Sequence, residues 1–321
     1  MRVSVKSILK AAEQGNLEYL NNVVNNSGCV KKSFEWMKTK DKKGRTPLHL
    51  ACMNGHVYIL RLIWKVIIEY TKDGSTRIEY LDITDHKGRT SLFHAAAKGH
   101  LIICNYLIDR QANLDIGTNE NHESPGSTAL MACAEKNRVE CFKLLSRKGG
   151  DIITMREDGA DAIYMAARYG NHEIIRHIAE HNLFQLIINR KSFHGRTALV
   201  TAALHGHIDA CKELHTNGFD LDHQDDDMFT ALIYATNEGH FMVVKWLVKN
   251  GANVYIKDKY GATAWELAIA NDFSEMAGFL EEWQANLERG KNVNQLMKMS
   301  INRALSRVKI TGTANKMGKL R

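Results

Sequence analysis

The residues best suited to chemistry in this chain are its fifteen histidines and six cysteines, and one short string sets two of the histidines in a reactive pattern. His177-Ile178-Ala179-Glu180-His181 has the His-x-x-Glu-His spacing of an inverted zinc hydrolase. Residues four apart share a helix face, so two imidazoles could hold Zn²⁺ while the glutamate serves as base. A catalytic zinc site needs a third ligand, and the sequence nominates none. Ile174, Ile175 and Ile178 also claim one side of the segment for a core, so the string reads as surface histidines on an amphipathic helix. Asp225-Asp226-Asp227 lacks the spaced oxygen ligands and the glycine of a calcium loop. No Gly-x-Gly-x-x-Gly, Gly-Lys-Ser/Thr, Gly-x-Ser-x-Gly or Cys-x-x-Cys occurs. The reading is therefore no catalytic residue, no metal, no cofactor and no enzyme.

The elements that must position these residues come from a recurring stretch. Gly44-Arg45-Thr46-Pro47-Leu48-His49-Leu50-Ala51-Cys52-Met53-Asn54-Gly55-His56 has a mechanical sense. Gly44 supplies a left-handed turn, Thr46 caps a helix, Pro47 fits its first position, and Gly55 ends it. Val57 to Ile68 follows as an apolar second helix, with Ile59, Leu60, Leu62 and Ile63 on a buried face. Close variants begin at Thr90, Thr197 and Thr230, and weaker ones at Thr128, Asp161 and Thr263. From position 46 onward the starts are separated by 44, 38, 33, 36, 33 and 33 residues.

The stretch resembles the Thr-Pro-Leu-His-x-Ala signature of the ankyrin repeat, a unit of about 33 residues with a hairpin and two antiparallel helices. The resemblance implies an all-α repeat solenoid of about eight helix-turn-helix units joined by hairpin loops. Residues 1–40 read as a degenerate capping repeat plus an insertion, 41–287 as the array, and 288–321 as a basic tail. At 44% apolar and 25% charged residues, the composition suits one elongated soluble body. Cys52, Cys104, Cys133, Cys141 and Cys211 fall within repeat helices, where a free thiol acts as a small buried apolar group. A reducing, cytoplasmic setting is expected, with nucleus or cytoskeleton as alternatives. The opening residues lack a signal-peptide core, and no run of eighteen apolar residues could span a membrane.

Departures from the pattern carry their own expectations. Residues 25–39 precede the first full motif and read as an elongated hairpin or loop, with Phe34, Trp36 and Met37 packing locally. Tyr70 to Ile83 is a second insertion, with Lys72-Asp73-Gly74-Ser75 as its turn, and 111–125 a third, polar one. Met228 stands where other repeats carry the turn glycine, so that hairpin should differ. Asn137 replaces the interhelical glycine and is the residue best able to keep its left-handed turn. His56, His100, His207 and His240 recur after that turn and His49 fills the signature histidine, so all five read as parts of the repeat.

From Glu288 onward, nine Lys or Arg face one acidic residue, so the chain's net charge of +7 is almost wholly a property of the tail. Val293, Leu296, Met297, Ile301, Ala304, Leu305 and Val308 recur at helical spacing, with Lys298, Arg303, Arg307 and Lys309 elsewhere on the wheel. This C-terminal amphipathic helix could cap the last repeat, bind a calmodulin-like protein, or lie on an acidic surface such as anionic lipid.

Function must then come from surface. The resemblance implies a concave face, built from hairpin tips and inner helices, that binds a protein partner. On that face the sequence puts Lys43, Arg45, Lys87, Arg89, Arg168, Tyr169, Phe193, Arg196 and His205. The expected function is a monomeric, non-catalytic scaffold or adaptor with no specific nucleic-acid partner. The alternative is a structural, cytoskeletal or membrane-associated component anchored by its tail.

Overall fold

A computed structural model of the chain describes residues 4–71, 74–180, 184–188, 190–192 and 194–290, with the side chains of 74–76 left aside. Among these residues there are helices and no strands. Eight antiparallel helix pairs stack side by side: Val5–Gln14 with Leu17–Asn25, Pro47–Met53 with Val57–Tyr70, Ser91–Lys98 with Leu101–Ile108, and Ala129–Glu135 with Val139–Arg147. Ala162–Arg168 with His172–Ala179, Ala198–Leu204 with Ile208–Thr216, and Ala231–Asn237 with Phe241–Lys249 follow. Ala264–Ala270 with a helix over 274–290 is the eighth.

Each inner helix starts where its cap residue dictates. The Thr46, Thr90, Thr128, Thr197, Thr230 and Thr263 hydroxyls accept from the backbone N–H three residues on, and the Asp161 carboxylate does the same for Tyr164. Such a cap is worth about 1 kcal/mol to its helix. The helices stop at a left-handed residue, glycine in most repeats and Asn137 (φ 53°) or Asp272 (φ 59°) in two. At Gly55 the glycine is required twice over. Its φ is 81°, and a Cβ there would meet the His100 ring at 2.9 Å.

That close approach is how neighbouring repeats lock together. His100 Nε2 bonds the Met53 carbonyl at 3.1 Å, and His56, His207 and His240 reach Glu13, Arg168 and Leu204 in the same way. These carbonyls lie at helix ends, where no intrahelical donor is left for them. His49 does the matching work at the other end, bonding Thr46 through Nδ1 (2.8 Å) and the Arg89 carbonyl through Nε2 (3.1 Å). The repeat histidines are thus joints of the array, as their spacing implies.

The core runs unbroken along the stack. Leu48, Leu92, Leu130, Ile163, Leu199 and Leu232, the third-position apolar residues of the motif, are each at most 2% exposed. Burying one such side chain stabilises by roughly 2 kcal/mol, and only the adjacent repeat can supply the cover. Five of the cysteines are buried and free, and Cys29 is exposed.

Three expectations need correction. Residues 25–39 do not form a hairpin or loop: Val30–Met37 is a helix whose Phe34 and Met37 are buried, and Phe34 stacks on Tyr70 with centroids 4.2 Å apart. Gly74 and Ser75 do not form a turn but open a helix, Gly74–Leu81, and Tyr80 Oη donates to the Met37 carbonyl at 2.6 Å. The two insertions therefore pack on each other beside the long outer helix Val57–Tyr70. Third, the Met228 hairpin does not differ. Met228 takes φ 62°, Asp225 Oδ1 accepts from the Asp227 and Phe229 N–H groups at 3.0 and 2.9 Å, and the turn closes as its neighbours do. Lys72 and Asp73 lie outside the described residues.

Candidate binding groove

Four of the hairpins owe their shape to one carboxylate each, buried in Asp85, Asp225 and Asp258 and half-buried in Asp41. Asp41, Asp85, Asp225 and Asp258 use Oδ1 to accept two backbone N–H groups, two and four residues on. In the second and third repeats the other oxygen holds the arginine that ends the hairpin. Arg45 bonds Asp41 through Nε and Nη2 at 2.8 and 2.7 Å, and Arg89 bonds Asp85 at 2.9 and 2.8 Å. Hairpins also bond sideways, His86 N–H to the Lys43 carbonyl (3.0 Å) and Asn119 N–H to the Lys87 carbonyl (3.1 Å). The tips therefore form a continuous rim.

Asp85 is the hub of this rim. Besides Arg89 it receives His94 Nε2 at 3.0 Å and is 3% exposed. Burial alone would raise its carboxyl, but the bonds from His94 and Arg89 override that and hold it well below the usual carboxylate range. Burial lowers the His94 imidazole, against the raising effect of Asp85, and takes His49 beneath it down to about 4. Both rings are thus neutral at pH 7, and His94 donates to Asp85 from Nε2.

Between the rim and the inner helices of repeats two to five lies a cavity of about 800 Å³. Its floor is apolar, made by Met53, Phe93, Ala97, Met131 and Met165. Its walls carry nine Lys and Arg against three acidic residues. Some of these cations are already engaged: Arg156 grips Asp158, Lys136 pairs with Glu135, and Lys87 meets Glu123 at 3.6 Å. Lys43, Lys98, Arg138 and Arg168 have no carboxylate partner among the described residues; Arg138 Nε bonds the Ala97 carbonyl and Arg168 lies 6.0 Å from the Tyr169 ring.

The cavity gathers six of the nine concave-face candidates: Lys43, Arg45, Lys87, Arg89, Arg168 and Tyr169. Arg196 and His205 lie one repeat further on, outside it. Arg196 Nε bonds Tyr234 Oη at 3.0 Å and stands 3.5 Å from Asp225, so its guanidinium serves the next hairpin. Phe193 and the tail residues Lys298, Arg303, Arg307 and Lys309 lie outside the described residues. The chain's zinc-like string is split: His181 is outside the described residues, while His177 bonds Ser146 Oγ at 2.9 Å and sits edge-on to Phe142.

A family model described as "Ankyrin repeats (3 copies)" matches residues 8–116, 77–156, 148–225 and 202–291. The chain belongs to the ankyrin-repeat family. Among curated relatives, ankyrin repeat and KH domain-containing protein mask-1 of Caenorhabditis elegans is 32% identical over 181 residues, 56% of this chain and 6% of that protein. Mouse ankyrin repeat and SAM domain-containing protein 6 is 33% identical over 134 residues, 40% of this chain and 15% of that one. Human NF-kappa-B inhibitor zeta is 29% identical over 168 residues, 52% and 21% of the two chains. The chain thus spans about a fifth or less of the length of these relatives.

Ankyrin repeats generally mediate protein–protein interaction. Among the described residues no three His, Cys, Asp or Glu side chains converge as a metal site, and no helix is long and apolar enough to cross a membrane. Sequence reasoning missed the floor residues Phe93, Met131 and Met165 and the wall residues His122 and Glu123 of the third insertion. Counting from each motif start would have found the floor and the cations Lys98, Lys136 and Arg168, since most positions three, four, seven and eight residues on line the cavity. Nothing in 117–126 except its length and polarity pointed inward.

Proposed function

We propose that the chain is a non-catalytic protein-interaction scaffold that holds a partner segment in the groove of its second to fifth ankyrin repeats. One observation carries this reading: an apolar floor, a rim braced by Asp41 and the buried Asp85, and cations without carboxylate partners among the described residues occur together in one groove. Preorganised donors and an apolar floor are what a binding surface needs, because little must be ordered when a ligand arrives. The relatives, a KH domain-containing protein, a SAM domain-containing protein and an NF-kappa-B inhibitor, fit arrays that work by association, each within a much longer chain.

Affinity capture with the full chain, followed by mass spectrometry, tests the proposal when run beside two variants. Ala97→Trp puts a bulky ring on the groove floor and should abolish specific capture, while Glu140→Arg on the opposite, outer helices should leave it intact. Capture that survives Ala97→Trp with the fold preserved would remove the groove from the site.

A further inference from the structure

The third insertion supplies a clue to what the groove takes. Residues 117–127 are cross-braced: Thr118 Oγ1 donates to the Ser124 carbonyl (2.7 Å) and accepts from Ser127 N–H (3.0 Å), and Gly126 N–H bonds the Thr118 carbonyl (2.8 Å). The loop is also tied to the preceding hairpin by Asn119, and its His122 ring sits edge-on to Phe93 with centroids 6.1 Å apart. It therefore stands as a wall beside the groove floor. From that wall Glu123, 89% exposed, reaches Lys87 Nζ at 3.6 Å. The chain has set a carboxylate of its own on one of the groove's cations.

We infer that the groove's ligand is an extended acidic protein segment, one of whose carboxylates replaces Glu123 on Lys87. This rests on the scaffold reading above and adds the chemistry of the partner. Lys43, Lys98, Arg138 and Arg168 border the cavity on successive repeats, with no carboxylate partner to compete for them among the described residues. Adjacent helices pack about 8–10 Å apart, so the cations of four successive repeats span roughly 25–30 Å along the stack. At ~3.3 Å per residue, about eight residues of extended chain cover it. Glu123 is almost fully solvated, so its pair with Lys87 is weak and readily exchanged. A ligand carboxylate backed by the apolar floor gives up less to water.

The test is selection of a displayed random peptide library on the full chain at low salt. Selected peptides should be enriched in Asp and Glu over the starting library. Their binding should fall on the order of tenfold with Lys98→Glu plus Arg168→Glu, both exposed positions that leave the fold intact. Glu123→Gln should strengthen it about two- to threefold, since the removed competitor is a surface pair. Peptides without acidic enrichment that are lost on Ala97→Trp but indifferent to Lys98→Glu plus Arg168→Glu would overturn this inference and leave the scaffold reading standing. An unchanged or weaker affinity with Glu123→Gln would overturn the exchange at Lys87. Peptides that bind Ala97→Trp as well as the wild type would overturn both readings.

Discussion

Substitution of Asp85 by Asn tests the construction of the groove at its hub. Asp85 Oδ1 accepts from the Lys87 and Arg89 N–H groups at 2.9 and 3.1 Å, and Oδ2 from Arg89 Nε, Arg89 Nη2 and His94 Nε2 at 2.9, 2.8 and 3.0 Å. Asn keeps the oxygen that organises the turn but sets an NH₂ against the three donors of Arg89 and His94. Hydrogen bonds to charged groups are worth about 1.5–3 kcal/mol each, and their losses do not add, so the expected cost is roughly 2–3 kcal/mol. Asp85→Ala removes the turn acceptor as well and should cost about 3–5 kcal/mol, the range for breaking a buried pair. Urea unfolding at pH 7 reads both values. The pH dependence has a fixed sign: because the folded carboxyl is depressed, its contribution is complete above about pH 3.9, the unfolded value, and is lost as pH falls towards the folded one. The Asn variant should lack that acid-side loss. A midpoint shift for Asp85→Asn equivalent to less than ~0.5 kcal/mol would refute the claim that this carboxylate holds the rim.

Further expectations follow from other residues. Met228→Gly should stabilise by about 0.5–1 kcal/mol in thermal unfolding, since relief of a left-handed Met outweighs the added chain entropy; destabilisation would mean that its side chain packs to advantage. His49, driven to about 4 by burial, binds its proton only in the unfolded chain between pH 6.5 and 4, so stability should rise with pH across that window and be lost on acidification. His49→Asn should flatten that slope, and an unchanged slope would reassign it to other groups. A thiol reagent should modify one cysteine, Cys29, quickly in the native chain and the other five only on unfolding; a second fast thiol would contradict the burial of the repeat cysteines.

How much of this was legible in the sequence depends on whether local signals and packing agreed. Thr or Asp starts, left-handed stops and the apolar third position are local rules repeated seven times, so the array and its core could be read directly. The insertions failed for opposite reasons. Lys72-Asp73-Gly74-Ser75 has turn chemistry, yet Gly74 and Ser75 open a helix whose Tyr80 and Leu81 are buried, Tyr80 against the Phe34 helix. That helix in turn begins at Cys29, which makes no side-chain cap bond, so it has no start signal to read. Each is stabilised by the other, a long-range fact that no window of sequence contains. At Met228 the hairpin's hydrogen bonds overrode the residue's own preference. Of the groove, the cations were legible from type and register. Their difference in state, Arg45 and Arg89 clamped by Asp41 and Asp85 while Lys98 and Arg168 lack a carboxylate, came only with the fold.

The groove claim is tested most directly by site-specific photo-crosslinking in cells, with a photoreactive amino acid placed at position 98 in one chain and 102 in another. Lys98 borders the groove, and Ile102, 67% exposed, lies on the outer helix of the same repeat. Partner proteins should cross-link from position 98 and not from 102. Cross-links from 102 alone would place recognition on the outer helices and contradict the account.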